Sequence, residues 1–161
     1  MTQGLTKTSR IYTEGMRHQA EAMTEAELGK QIGRCYEQFG WRSYHTHILK
    51  RSNFGFPDEF VVKPDWDSMF WAELKRERRP ANKATGVRGY TPKISKAQIE
   101  WLDDLASIEP SRVFLFMPRD WVRSAIQQFL ATRDGWSIAA DCLWELRRDQ
   151  LVELGINVVE K

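Results

Sequence analysis

Several features are missing from this chain, and each absence excludes something. Nowhere in its 161 residues is there a run of about 18 apolar positions, so no membrane-spanning helix is expected. The opening segment MTQGLTKTSRIYTEGMRHQ lacks the apolar centre of a secretory signal. Cysteine occurs twice, at Cys35 and Cys142, far apart and without CxxC spacing. That pattern points to reduced thiols near the core of a cytoplasmic protein rather than to a disulfide framework. Histidine is almost as scarce. His45 and His47 lie two apart and His18 is remote, with no further ligand at zinc spacing. Gly86, Gly89 and Lys93 do not form the GxxxxGK[ST] loop that cradles a nucleotide phosphate. Internal repeats and low-complexity stretches are absent from the sequence as well.

What remains suits one folded domain with a substantial core, since 42% of residues are apolar and 29% charged. The net charge of +2 is uninformative, but its distribution is not. Between residues 75 and 96 stand Lys75, Arg76, Arg78, Arg79, Lys83, Arg88, Lys93 and Lys96 against one acid, Glu77. Lys50 and Arg51 add two more cations in an earlier turn. Such a surface attracts a phosphate backbone, although an ordinary solvated loop has the same composition.

Residues 1–22 are polar and weakly patterned, and read as an arm or a short docking segment. Thr24 and Glu27 form a capping-box signature, and Leu28, Ile32, Cys35, Tyr36 and Phe39 recur at helical spacing up to Gly40. Residues 41–49, 58–64 and 68–75 read as strands, the last two joined by a tight PDWD turn. A long basic loop over 76–93 follows, a length that usually marks function. Ser95 caps a helix bearing Ile99, Leu102 and Leu105. RVFLFMP, 112–118, is apolar throughout, as a strand covered on both faces would be. Asp120 caps another helix, and a last helix is expected over roughly 137–154. The order predicts an α/β fold with a central mixed β-sheet flanked by helices.

Glu73 and Lys75 lie two apart on one strand and so project from one face. An antiparallel pairing about the PDWD turn brings Asp58 to their level. Two carboxylates and an ammonium then converge at one end of the sheet. Asp58 and Glu73 offer hard oxygen ligands for Mg²⁺ or Mn²⁺, with the Leu74 carbonyl available beside them. Lys75 is suited to offset charge on a phosphate. The alternative is a solvated strand end, but the apolar flanks VV and MFWA argue for buried positions, where idle charge is costly.

Asp58 after Pro57, a spacer, then Glu73-Leu74-Lys75 resembles the PD-(D/E)xK nuclease signature. GFPD, AELK, SKAQIEWLDDL and VFLFMPRDW, in that order, resemble the VRR-NUC subfamily over about residues 24–131. The resemblance implies a restriction-endonuclease-like fold and a divalent-metal-dependent DNA endonuclease. Asp58 and Glu73 become metal ligands, Lys75 the catalytic lysine, and Gln98 a helper near the metal water. Relatives also carry an acid early in the first helix. Glu25 fits that place through the spacing E-x-x-L to Leu28, with Glu27 left to the capping box. His45 falls in a Y-H-T segment also found among relatives, lining the site or packing in the strand. The longer basic insertion after Lys75 departs from simpler members and is expected to contact DNA.

Small stand-alone members of the family, common in phage genomes, are associated with Holliday junctions and homodimers. The resemblance therefore implies branched DNA as partner and a two-fold dimer. The chain divides into an arm at 1–23, the nuclease-like domain at 24–131 and a helical extension at 132–161. Trp136 and Trp144 in that extension form either a dimer surface or a cover for the same chain's sheet.

Overall fold

The computed structural model describes residues 12–46, 54–78, 83–86 and 92–153. Among these residues six α-helices flank one mixed four-stranded sheet. Helices α1 (Glu14–Ala22) and α2 (Glu25–Phe39) precede strands β1 (Arg42–His45), β2 (Glu59–Lys63) and β3 (Ser68–Leu74). Helix α3 (Lys96–Ile108) leads into β4 (Val113–Phe116), then α4 (Pro118–Val122), α5 (Ala125–Ala131) and α6 (Trp144–Glu153). The strands lie in chain order, β1 and β3 antiparallel to β2, and β4 parallel to β3. A parallel neighbour needs a crossover, which the α3 segment supplies.

Local chemistry sets the boundaries. Both halves of the Thr24–Glu27 capping box form, satisfying two of the orphan N–H groups at the start of α2. Gly40 ends α2 at φ 75°, a left-handed conformation that glycine adopts without a Cβ penalty. The buried positions Leu28, Ile32, Cys35 and Tyr36 follow the helical period and face the sheet. Phe70, Ala72 and Leu74 point to that same side of β3 and join Phe114, Phe116, Ile126 and Phe129 in the larger core. Burying a phenylalanine of this kind stabilises by roughly 1.5–3 kcal/mol. Trp71 and β4 residues Val113 and Leu115 face the opposite layer, where Ile99 and Leu102 of α3 meet Trp144. All four β4 residues are buried, as an uninterrupted apolar run requires.

Three segments differ from the sequence expectation. Residues 14–22 are helical: the Thr13 hydroxyl accepts from the Met16 N–H, and α1 packs on α4 with Ala20 buried. The helix expected after Asp120 begins earlier, at Pro118, and is split in two by Ser124 at φ 62°. The helix expected over 137–154 is two 3₁₀ turns followed by α6, because Leu143 is extended and bridges to Phe114. Trp144 is 1% exposed inside its own chain, and Trp136 packs on Phe114 and Phe129. The tail beyond 153 lies outside the described residues.

Candidate active site

The β2–β3 register pairs Glu59 with Ala72, which sets Asp58 opposite Glu73 at the end of the ladder. Their linkage is reciprocal. The Asp58 N–H donates to Glu73 Oε2 at 3.2 Å, and the Leu74 N–H donates to Asp58 Oδ2 at 2.9 Å. Glu73 is wholly buried, and its Oε1 accepts from Lys75 Nζ at 2.9 Å and Gln98 Nε2 at 2.5 Å. Lys75 is also buried, with its backbone N–H on the Phe116 carbonyl at 3.0 Å. Asp58, Glu73, Lys75 and Gln98 therefore meet, drawn from the residue before β2, the end of β3 and the residue after it, and α3.

Gln98 has two tasks. Its Oε1 accepts from the Ser95 N–H at 3.0 Å, while its own N–H donates to Ser95 Oγ at 3.2 Å. The cap of α3 thus fixes the amide that holds Glu73. The turn before β2 is clamped to the same helix. A Cβ on Gly55 would lie 2.5 Å from the Ala97 carbonyl carbon, and Phe56 meets Trp101 edge-on at 5.0 Å. On the other side, Thr46 Oγ1 donates to the Pro57 carbonyl at 2.6 Å and the Thr46 N–H to the Asp58 carbonyl at 2.9 Å.

Electrostatically the cluster holds more carboxyl groups than cations. Burial, then the Asp58 charge, pushes the Glu73 pKa up to about 8, against the pull of Lys75. Burial also raises Asp58, partly offset by the Leu74 N–H and then Lys75, with a smaller push from Glu25 and a smaller pull from His45. Glu25 is exposed at the first turn of α2, near enough to be felt by Asp58. Glu27 is taken by the Thr24 cap, at 2.8 Å from its N–H.

Next to Asp58 lies a second buried carboxylate that sequence reasoning missed. Glu59 is 1% exposed, and burial raises its pKa to about 7. Tyr36 donates its hydroxyl to Oε2, while Oε1 stands 3.6 Å from His45 Nδ1. The available signal was strand alternation: Glu59 shares the inward face with Val61. Glu77, the one acid in the basic run, is likewise buried and receives the Arg119 N–H at 2.6 Å and Nε at 2.8 Å.

The expected DNA contacts divide unevenly. Lys83, Lys93 and Lys96 are exposed, Lys96 with Glu100 at 3.7 Å on its own helix. Arg76 is half-buried beside α2, where its charge reaches Glu27. Arg78 lies 3.7 Å from Glu21. Lys50, Arg51, Arg79 and Arg88 lie outside the described residues, as do His47 and Tyr90.

The donor set fits a hard divalent ion in kind: two adjacent carboxyl groups, Glu73 buried and Asp58 half-buried, with one ammonium against the two charges they can develop. Among the described residues no group of three or more His, Cys, Asp or Glu is arranged to hold a metal. No helix among them is long and apolar enough to cross a membrane. Comparison with protein-family models, with curated proteins and with solved structures gave no match.

Proposed function

We propose that this chain is a VRR-NUC-like, divalent-metal-dependent DNA endonuclease with a PD-(D/E)xK-type site. The observation that carries the reading is the facing pair Asp58, just before β2, and Glu73 on the antiparallel β3, with Lys75 Nζ on Glu73 at 2.9 Å. Asp58 and Glu73 would hold the ion, Mg²⁺ or Mn²⁺. Such an ion supplies Lewis acidity toward a phosphate oxygen and lowers the pKa of water. Lys75 offsets charge that develops on the phosphate, where a preorganised cation is effective because water is excluded. Gln98 keeps the Glu73 carboxylate in one orientation. Glu25 adds negative charge at the mouth. Lys83, Lys93 and Lys96 are the exposed cations suited to holding the DNA backbone.

Branched DNA is the proposed substrate and a two-fold dimer the proposed assembly, since a junction offers two related strands. Cleavage of a four-way junction, a flap and a linear duplex with Mg²⁺ or Mn²⁺ tests both points. Paired nicks in the junction, lost in a correctly folded Lys75→Ala variant, are expected. Undiminished cutting by that variant overturns the assignment, and preferential cutting of flap or linear duplex transfers the same chemistry to that substrate.

A non-catalytic DNA-binding role is the second reading, favoured by the lack of a third acidic ligand among the described residues. Metal titration separates them. A saturable Mn²⁺ site abolished by Asp58→Ala supports the nuclease, and no site at all supports the accessory role.

A further inference from the structure

A cavity of about 260 Å³ opens at the far end of β3 from the carboxylates. Whole drug-sized ligands occupy about 300–1,000 Å³, so this one suits a single planar heterocycle. Its aromatic lining includes Trp66 and Trp136, and its polar lining is two arginines and two aspartates, Arg112, Arg133, Asp67 and Asp134. Ser68, the first residue of β3, also lines it.

The arrangement is built rather than incidental. The Arg112 guanidinium carbon sits 3.6 Å above the Trp136 ring centre, and its Nη1 donates to Ser68 Oγ at 3.3 Å. Trp136 is in turn stacked with Phe114, 17° from parallel. A guanidinium fixed on an indole is a rigid plane on which a base can stack. Among the described residues three non-glycine positions have positive φ, and two of them are the rim residues Asp67 at 51° and Asp134 at 59°. Such conformations cost free energy and gather where a loop must hold a ligand. Beside Asp134, a Cβ on Gly135 would come within 3.1 Å of the Phe129 carbonyl oxygen, so the turn lies tight on α5.

Charge decides what fits. Two arginines against two aspartates leave no net attraction for a bare phosphate. They do provide donors and acceptors side by side over an aromatic floor, matching the edges of a nucleobase. We propose that this cavity binds an unstacked nucleobase of the DNA, an inference that rests on the nuclease reading for the source of the base. Ser68 and Glu73 are five residues apart on β3, about 17 Å at the rise of an extended strand. That spans about five nucleotide steps of a DNA strand. A base held here would set how far from a branch point or an unpaired base the phosphodiester at Asp58 and Glu73 lies. Extruding a base is cheapest where pairing is already disturbed. The cavity would thereby favour branched or mismatched DNA over continuous duplex.

The test is binding, not cleavage. The full-length protein is titrated separately with dGMP, with deoxyguanosine and with inorganic phosphate, following the indole N–H signals by NMR. Saturable shifts of the Trp66 and Trp136 signals with dGMP and deoxyguanosine, and not with phosphate, are expected. Arg133→Ala, an exposed position, should weaken dGMP about tenfold, the worth of one charge-assisted hydrogen bond. Lys75→Ala should bind dGMP as the wild type does, so failure of the cleavage assignment and failure of this one are distinguishable. Saturation by phosphate alone, no saturable shift with the nucleoside and nucleotide, or unchanged affinity in Arg133→Ala overturns the proposal.

Discussion

Glu73 and Asp120 are both buried carboxylates, 0% and 2% exposed, and both accept a backbone N–H, from Asp58 and from Met117 respectively. Around Asp120 the charges cancel. Arg147, itself 4% exposed, donates from Nη2 to Oδ1; burial alone would lower its pKa, but the Asp120 charge raises it further. Around Glu73 the carboxyl groups outnumber the cations: Asp58 brings a second one, and Lys75 is the ammonium bonded to Glu73. Burial of charge is therefore compatible with plain architecture. A surplus of acids is different, because burial and mutual repulsion hold a carboxyl group protonated to higher pH.

The contrast can be broken in four places. The largest effect is expected at the balanced pair. Arg147→Met leaves Asp120 uncompensated and should cost about 3–5 kcal/mol in urea unfolding, with part recovered in the double variant carrying Asp120→Asn. Glu73→Gln should do the reverse: metal-free stability equal to or above wild type, but DNA cleavage reduced about 10²–10³-fold. A stability loss in that variant as large as that of Arg147→Met would erase the distinction between the clusters.

Next comes pH. Glu73 and Glu59 titrate near 8 and 7 in the fold, against an ordinary 4.5. Because the folded-state values are raised, the folded protein binds more protons between those limits. Their contribution to stability is complete below about 4.5 and is lost as pH rises through 7 and 8. Unfolding of metal-free protein at a series of pH values should show a loss on the order of 2 kcal/mol from pH 6.5 to 8. Added Mn²⁺ should lessen it, and Glu59→Gln should remove its lower part. A flat profile would mean that the surplus charge is not felt. The smallest effect is expected from Ser95→Ala, which removes the cap hydroxyl of the Gln98-bearing helix and should lower stability by about 1 kcal/mol in the same assay.

Much of the frame was legible because it is written in short-range terms. The capping box at Thr24–Glu27, the Ser95 cap, the Gly40 stop and the buried run at β4 each follow from a few neighbouring residues. The convergence of Asp58 with Glu73 and Lys75 was legible too, since a tight turn between two strands fixes the register. Helix α1 was not, because its buried surface is small and centres on Ala20 against α4, which no periodicity announces. The break before α6 was hidden for a related reason: Leu143 leaves the helical path to meet Phe114, 29 positions earlier in the chain. Tyr36 on Glu59, Arg119 on Glu77 and Arg147 on Asp120 are likewise partnerships between distant residues. Of the basic surface, only composition was legible, and composition does not separate Lys83 in solvent from Arg78 beside Glu21.

The tight approach of Gly55 to Ala97 ties the strand that carries Asp58 to the helix that carries Gln98. With Gln98 on Glu73 and the Leu74 N–H on Asp58, both carboxylates are held by groups that the fold itself positions. On the nuclease reading proposed above, an incoming ion or phosphate would meet a preorganised pair of carboxylates. Association at this end of the sheet should accordingly be a single kinetic phase, proportional to ligand concentration, without the plateau that a rate-limiting rearrangement imposes.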